Sequence, residues 1–575
     1  MPDRMAGKVA VNTAPADKAK ARRIHKNARK TIFQAVIAAG RRFGSNRLAV
    51  IDGDEKQFTY KELIRAGFAL GGPIARRTCK SEAVGVLLPT GAGAVITILA
   101  LHARGRVPAM LNFTAGAGAL ISAAKAAKVT KVLTARKFVE IGGLEKLIDA
   151  LKGDLEIIYL EDLKEVLSPL DKARALVGPL VPALLAANTN PDDPGAILFT
   201  SGTEGKPKGV VLSHANILSN IHQIDEHVET QDTDIVFNPL PMFHCYGLTA
   251  GTLWPIMVGH PAVLHPSPLQ TKIIPKRIKS SRATIVFATD TFLTQYMRAG
   301  DAESMQSLRI AVCGAERVKN ETRHMASREY SFEVLEGYGV TEASPVVAVN
   351  QPGDIRDGTV GTLLPTLEYR LKPVEGLDGA GRLFVRGPSI MKGYVSEDAP
   401  GVIRPLRDGW HDTGDIVSVD DDGYISIRGR IKRFAKIGGE MVSLAIAENC
   451  ASAVWPDNMH ATTMLPDKRR GEQIILVTDK KSSDRSPLLL WAQSHGVAEI
   501  ALPKKIIEVD EVPVLGTGKT DYVKVEALAR DALAREAVAA RNPATAAPET
   551  NVVPISSAEE TETNAGDLSY KNAAE

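Results

Sequence analysis

From Thr31 onward the apolar residues fall into two alternating patterns. The runs IFQAVIAAG and YKELIRAGFALGGPIA read as helices. RLAVIDG and VGVLLP are short apolar runs bounded by polar, Gly or Pro positions, and read as strands. This alternation predicts an α/β architecture with mostly parallel sheets. The pattern weakens between residues 137 and 190, where a Leu-, Ala- and Pro-rich connector ends in NTNPDDPG. It resumes with AILFT (196–200), a buried strand leading into a glycine-bearing loop, and with TIVFAT, RIAVCGA and FEVLEGYG. Beyond about Thr359 the texture is β-rich, through RLFVRG and YISIRGR. After residues 429–432 it changes to a small α+β unit.

These patterns predict a large N-terminal α/β domain over 31–430 that includes a β-rich subdomain, followed by a small α+β C-terminal domain over 431–535. A chain of 575 residues exceeds what one core supports, which agrees with more than one domain. Residues 1–30 read as a basic flexible arm. The tail at 536–575, rich in Ala, Thr, Glu and Asn, reads as disordered. The uncharged run at 83–103 is long enough to invite a membrane span. Pro89, Gly91 and Gly93 divide it into a strand and a helix, so no transmembrane segment is expected.

Composition narrows the chemistry. A formal net charge of +3 is nearly neutral for this length and gives no reason to expect nucleic acid. The four cysteines show no CxxC spacing, so neither a zinc site nor a disulfide scaffold is indicated. The start has no apolar h-region. A cytoplasmic protein is expected, with the basic stretch at 18–30 a candidate for peripheral attachment to the inner membrane.

The loop TSGTEGKPKG (200–209) concentrates anion-binding chemistry. Thr200, Ser201 and Thr203 carry hydroxyl donors. Gly202, Gly205 and Gly209 let backbone amides approach closely, and Lys206 and Lys208 supply charge. A strand before it and the helix HANILSNIHQI after it give the sheet-edge setting where nucleotides bind in α/β folds. GTGKT (516–520) imitates the end of a P-loop, but Pro513 occupies the first glycine position, so a P-loop NTPase is not expected. The pair His227 and Asp232 matches the HxxxxD of glycerolipid acyltransferases by chance, since it lies on the helical stretch after the loop.

The ordered series TSGTEGKPKG, LPMFHCYGL (240–248), GAE (314–316), YGVTE (338–342), WHDTGD (410–415), GRIKR (429–433) and GTGK ending at Lys519 resembles the adenylate-forming, or AMP-binding, superfamily. That superfamily holds acyl-CoA synthetases, luciferases and peptide-synthetase adenylation domains. The resemblance implies ATP and Mg²⁺ as cofactors and activation of a carboxylate as acyl-AMP. It places the loop from Thr200 to Lys208 on the β,γ-phosphates, Thr341 on the α-phosphate, Glu342 on the metal and Lys519 between carboxylate and α-phosphate. It puts Gly314, Ala315 and Glu316 at the adenine edge. Tyr338, between Gly337 and Gly339, would stack on the base. Asp415 would accept from the ribose, with Arg430 as companion, and His244 would guard the acyl pocket. The resemblance also implies doubly wound sheets in the N-terminal domain and a mobile C-terminal lid, with Lys432, where the family often has aspartate, as the hinge. Lys436, Gly438 and Gly439 would line the thiol channel.

Finer segments, KRFAKIGGEMVSL and the loop's Glu204 among them, resemble the acyl–acyl-carrier-protein synthetase half of bifunctional 2-acylglycerophosphoethanolamine acyltransferases. The resemblance implies a fatty acid as substrate and acyl carrier protein as acceptor, with a fatty acyl-CoA ligase as the alternative. The phosphate loop comes too early for an upstream acyltransferase domain, so the thioester would feed a separate lysophospholipid acyltransferase or other uses. Lys432, Arg433, Lys468, Arg469, Arg470, Lys504 and Lys505 form a basic set suited to an acidic carrier protein or to CoA phosphates.

Overall fold

The computed structural model describes residues 12–13, 18–201, 207–374, 377–467, 469–514 and 520–541. Lys519, Lys468 and the loop tip from Gly202 to Lys206, with Thr203, Glu204 and Gly205, lie outside the described residues.

The α/β reading holds. Among the described residues the N-terminal part contains a nine-stranded and an eight-stranded sheet, with a five-stranded antiparallel sheet beside them. The nine-stranded sheet has a parallel centre. In it Val236–Asn238 lies between Ala262–Leu264 and Ile285–Ala288, and Ile310–Cys313 and Glu333–Gly339 follow outward. In the eight-stranded sheet, Ala83–Val86 pairs in parallel with Val107–Met110, which pairs in parallel with Pro194–Ser201. Buried parallel strands need apolar faces on both sides. The runs VGV, VFN and IVFA supply them: every residue from Val84 to Val86, Val236 to Asn238 and Ile285 to Ala288 is buried.

The suspicious run at 83–103 is Ala83–Val86 followed by the helix Ala92–Ala103. That helix is buried on nearly every face, at Ala92, Ala94, Val95 and from Thr97 through Ala103, which explains its all-round apolar sequence. No helix among the described residues is long and apolar enough to cross a membrane. Helix starts follow local chemistry. Thr31, Thr59 and Ser213 cap Ile32–Phe43, Tyr60–Arg77 and His214–His227, each with a reciprocal side chain three residues on.

The expectation of a flexible arm over 1–30 needs correction within its described part. Lys18–Ala28 is an α-helix with Ile24 and Ala28 buried, four residues apart on one face. It packs on His214–His227. Arg23 donates twice to Glu226 at 2.6 and 2.7 Å, and Arg29 donates twice to Asp192 at 2.7 and 2.8 Å. Basic density masked the two apolar anchors in the sequence.

Phe434–Ile437, Glu440–Ser443, Gly471–Thr478, His460–Asp467 and Lys505–Glu508 form the sheet of the C-terminal α+β unit, covered by Leu444–Val454, Arg485–Ser494 and Tyr522–Arg541.

Buried histidines give the fold a pH dependence. Burial pushes His102 down to about 4, even though its Nε2 lies 2.7 Å from the Gly195 carbonyl. Burial and the neighbouring Arg277 push His265 down to about 3. Because these folded values lie below the unfolded one, stability is fully present above about pH 6.5 and is lost as pH falls toward 4. Each such histidine contributes a slope of about 1.4 kcal/mol per pH unit in that window. Urea unfolding at pH 7, 6 and 5 should show this decline, with a shallower slope in His102→Gln; equal slopes would contradict the assignment.

Candidate active site

The strands that flank the glycine-rich loop form a hairpin. Pro194–Ser201 and Pro207–Ser213 pair antiparallel, with Thr200 opposite Lys208 and Ser201 opposite Pro207. The sequence reading ran the chain from the loop into the helix. A strand intervenes instead, because Val210, Val211 and Leu212 are apolar enough to be buried in the sheet. Gly209 consequently has a packing role as well. A Cβ there would stand 2.6 Å from Val395 Cγ2, so only glycine lets the Gly393–Ser396 strand pair against it.

Other predicted residues gather where the parallel strands end. The segment 314–316 leaves the C-terminal end of Ile310–Cys313, and the turn Thr341–Ala343 follows Glu333–Gly339. Ends of this kind are where α/β sheets bind ligands. Ala315 is held at φ 72°, a left-handed conformation. Gly314 lets the Tyr246 ring approach: an added Cβ would lie 3.3 Å from it, while the Tyr246 hydroxyl donates to the Val312 carbonyl at 2.8 Å. Glu316 accepts from the Thr291 backbone N–H at 3.1 Å and from its hydroxyl at 2.9 Å, so this carboxylate positions the segment. Gly337 packs closely on Val349. At Gly339 a Cβ would stand 2.4 Å from the Pro345 carbonyl oxygen, which presses the Thr341 turn against the strand.

Glu342 is the carboxylate at that turn. The Tyr394 hydroxyl donates to its Oε1 at 2.6 Å, and His411 Nε2 lies 4.0 Å from its Oε2. Its backbone carbonyl accepts from Met391 N–H at 2.8 Å, so main chain and side chain are both anchored. Burial pushes the Tyr394 phenol up, helped by Glu342, so the phenol stays a donor. Burial lowers His411 against the opposing pull of Glu342, Asp412 and Asp415, which favours a neutral imidazole. Among the described residues no group of three or more His, Cys, Asp or Glu could hold a metal. A single anchored carboxylate fits Mg²⁺, which completes its shell with phosphate oxygens and water, and does not fit a metal held by protein alone.

The second cluster joins two sheets. The Tyr338 hydroxyl, from Glu333–Gly339, donates at 2.5 Å to Asp415 Oδ2, from His411–Val419. Arg430 Nε donates to Asp415 Oδ1 at 3.1 Å from the directly paired strand position. Asp415 is 3% exposed. Burial raises its pKa, and Arg430 and the Tyr338 hydrogen bond pull it back. Tyr338 is therefore tied by its hydroxyl to the expected ribose acceptor, with its ring mostly buried.

His244 is half-buried, its ring 4.8 Å from Phe243, at the entry to the π-helical segment Tyr246–Leu253. Such irregular turns often mark functional positions. Lys432 is exposed in the turn Ile431–Arg433, between the last strand of the five-stranded sheet and the C-terminal unit. Gly438 and Gly439, at φ 61° and 97°, make the two-residue turn between Ile437 and Glu440. Space around both is open, and Lys436 beside them is exposed. Much of the basic set is spent within the unit. Arg433 lies over the Tyr522 ring at 3.6 Å and pairs with Glu448, Lys504 pairs with Asp467, and Lys505 with Glu536. Next to Lys519, Val514 and Thr520 form a bridge.

Sequence reasoning missed three residues. His411 and Tyr246 sit inside motifs already quoted, WHDTGD and LPMFHCYGL, without a role. Tyr394 carried no local signal, because its partner Glu342 is 52 positions away.

Comparisons with known proteins extend this geometry. Feruloyl-CoA synthase of Amycolatopsis sp is 29% identical over 402 residues, 66% of this chain and 80% of that protein. The mitochondrial medium-chain acyl-CoA ligase ACSF2 of Mus musculus is 29% identical over 351 residues, 58% of this chain and 57% of that protein. Among solved structures, ATP-bound MatB from Rhodopseudomonas palustris matches with a TM-score of 0.73 at 24% identity, covering 86% of this chain and 99% of that one. MenE from Bacillus subtilis in complex with ATP and magnesium ion matches at 0.71 and 20%, covering 85% and 98%. These structural likenesses establish the fold. Both curated relatives are CoA-linked enzymes, so they do not support the carrier-protein branch expected from Glu204 and the KRFAKIGGEMVSL segment. The family model described as "AMP-binding enzyme" matches residues 37–395, a span that includes Glu342 and Tyr394, and the chain belongs to that family.

Proposed function

We propose that this chain is an acyl-CoA ligase that activates a carboxylic acid with ATP and passes the acyl group to the thiol of CoA. The observation that carries this reading is the anchored Glu342 beside the Tyr338–Asp415–Arg430 cluster, within the family match.

The chemistry explains the residues. A carboxylate repels nucleophiles and offers no leaving group. Attack of its oxygen on the α-phosphorus of ATP breaks the α–β phosphoanhydride, releases pyrophosphate and leaves an acyl-adenylate. Thiol attack on the acyl carbon then expels AMP. The first step brings two anions together, so charge must be offset in place before reaction. Thr200, Ser201 and Lys208, with the loop tip between them, hold the departing pyrophosphate. By their motif positions, Thr341 would meet the α-phosphate and Lys519 would bridge the reacting oxygens. Glu342 would hold Mg²⁺, which supplies charge neutralisation to phosphate oxygens. Asp415, oriented by Tyr338 and Arg430, accepts from the ribose hydroxyls, and 314–316 borders the base. Lys432 is the pivot of the C-terminal unit. Lys436, Gly438 and Gly439 border the path of the thiol, where the open glycine turn leaves room for a pantetheine arm.

The acid is proposed to be a fatty acid. A second reading, transfer to acyl carrier protein, draws on the KRFAKIGGEMVSL segment. The test supplies ATP, Mg²⁺ and a panel of fatty and aromatic acids, then CoA or holo-acyl carrier protein separately. Acid-dependent pyrophosphate release and acyl-CoA formation are expected. Product with carrier protein alone would move the acceptor to the second reading. Absence of pyrophosphate release with every acid would overturn the ligase reading itself.

A further inference from the structure

An open cleft of about 460 Å³ is walled by Lys80, Arg104, Arg106, Arg174, Leu185 and Asn188 among others. Arg104 and Arg106 precede Val107–Met110, which runs parallel to Pro194–Ser201 with Ala109 opposite Ile197. The cleft therefore opens at the N-terminal end of these strands. The phosphate-loop hairpin lies at their other end, roughly 20 Å away at the rise of a β-strand.

Four cations line this cleft and no carboxylate does. Arg106 is spent on the Thr78 hydroxyl at 3.0 Å and on neighbouring carbonyls, and Lys80 reaches the Asn188 carbonyl at 3.0 Å. Arg104 is different. Its Nη1 makes one long contact to the Leu185 carbonyl at 3.3 Å, while its Nε and Nη2 are buried with no protein partner. The Thr189 hydroxyl close by is also buried without one. Asp171, behind the cleft, accepts from Arg76 and Ser168 through Oδ2, while its Oδ1 has no hydrogen-bond partner and lies 3.9 Å from Arg174. Burial, Arg174 and Arg106 all lower the Arg104 pKa, against Asp171 alone. A half-buried cation with two unmet donors, in a cleft lined by three further cations, favours an anion.

The rim identifies which anion. The segment that contributes Arg174 and Leu185 runs through the helices Pro169–Val177 and Pro182–Leu185, and it exposes Leu170, Leu176, Val177, Leu180, Val181 and Leu184. Leu180 is 75% and Leu184 80% exposed. A soluble phosphate would answer the cations and leave these side chains in water. A phosphate above a layer of acyl chains answers both.

We propose that this face docks on an anionic phospholipid bilayer, with a headgroup phosphate seated at Arg104 and Arg174 while Leu180 and Leu184 enter the acyl-chain boundary. The site would hold the protein at the surface where fatty acids partition, and it is independent of the ligase reaction.

Vesicle co-sedimentation of the full chain tests it, using phosphatidylcholine with and without phosphatidylglycerol. Binding should require phosphatidylglycerol and weaken as salt rises. Arg104→Gln and Arg174→Gln should each weaken it about fivefold. The double variant Leu180→Ser/Leu184→Ser should lose it while keeping acid-dependent pyrophosphate release at the wild-type rate. Should Arg104→Gln misfold, Arg174→Gln, at the partly exposed lip, carries the same comparison. Wild-type sedimentation by the double-serine variant would overturn the proposal. So would absence of vesicle binding, whether or not calorimetry shows inorganic phosphate binding to the cleft.

Discussion

Glu342→Gln is expected to lower kcat/KM for acid-dependent pyrophosphate release on the order of 10²- to 10³-fold, the range seen when one preorganised group facing transition-state charge is removed. The substitution keeps side-chain volume. The Tyr394 hydroxyl, 2.6 Å from Oε1, can still donate to an amide oxygen, and Met391 N–H still anchors the backbone. Folding should be unchanged, so the loss isolates the charge. The discriminating measurement is a Mg²⁺ titration of initial rate. The variant should need far more Mg²⁺ to reach half of its own maximum. An unaltered Mg²⁺ profile would remove Glu342 from the metal site even if the rate fell. Tyr394→Phe leaves the charge and removes only its orienting donor. It should cost about tenfold, the scale of one hydrogen bond to a charged group.

Asp415→Ala should raise the KM for ATP on the order of 10²-fold, as two charge-assisted hydrogen bonds to the ribose are lost. It should also destabilise the protein by about 1–3 kcal/mol, because the Tyr338 hydroxyl is left buried without its acceptor. The two effects separate in Asp415→Asn. The amide oxygen can still accept from Tyr338, so thermal stability should recover most of the way, while the missing charge keeps the KM high. If stability and KM recovered together, Asp415 would be a strut between two sheets rather than a ligand to the nucleotide.

The two predictions draw on parts of the protein that were legible to different degrees. Asp415 and Arg430 are 15 residues apart and were both visible as motif members. Their direct opposition follows from ordinary antiparallel pairing of His411–Val419 with Ile425–Arg430. Tyr338 comes to Asp415 from a different sheet, 77 positions earlier. No periodicity within either strand encodes that meeting. The phenol of Tyr394 and the imidazole of His411 reach Glu342 in the same way, across separate elements. The proposed bilayer face was invisible for a related reason. Arg104 and Arg174 belong to no motif, and the connector at 137–190 showed only a weak pattern.

The sequence by itself determined the strand and helix alternation and the reaction class. These depend on local patterns: apolar periodicity, capping side chains and short strings that must stay contiguous to cradle a phosphate. Even the glycine-rich loop at 200–209 was recognisable on its own. Tertiary structure decided the pairing of the strands that flank that loop, the packing role of Gly209 and the docking of the helix at 18–28 through Ile24 and Ala28. It also decided which donors orient Glu342 and Asp415. Those outcomes depend on which distant surfaces meet. A side chain's burial, and hence its charge state and its need for a partner, is a property of the assembled sheets rather than of its neighbours in the chain.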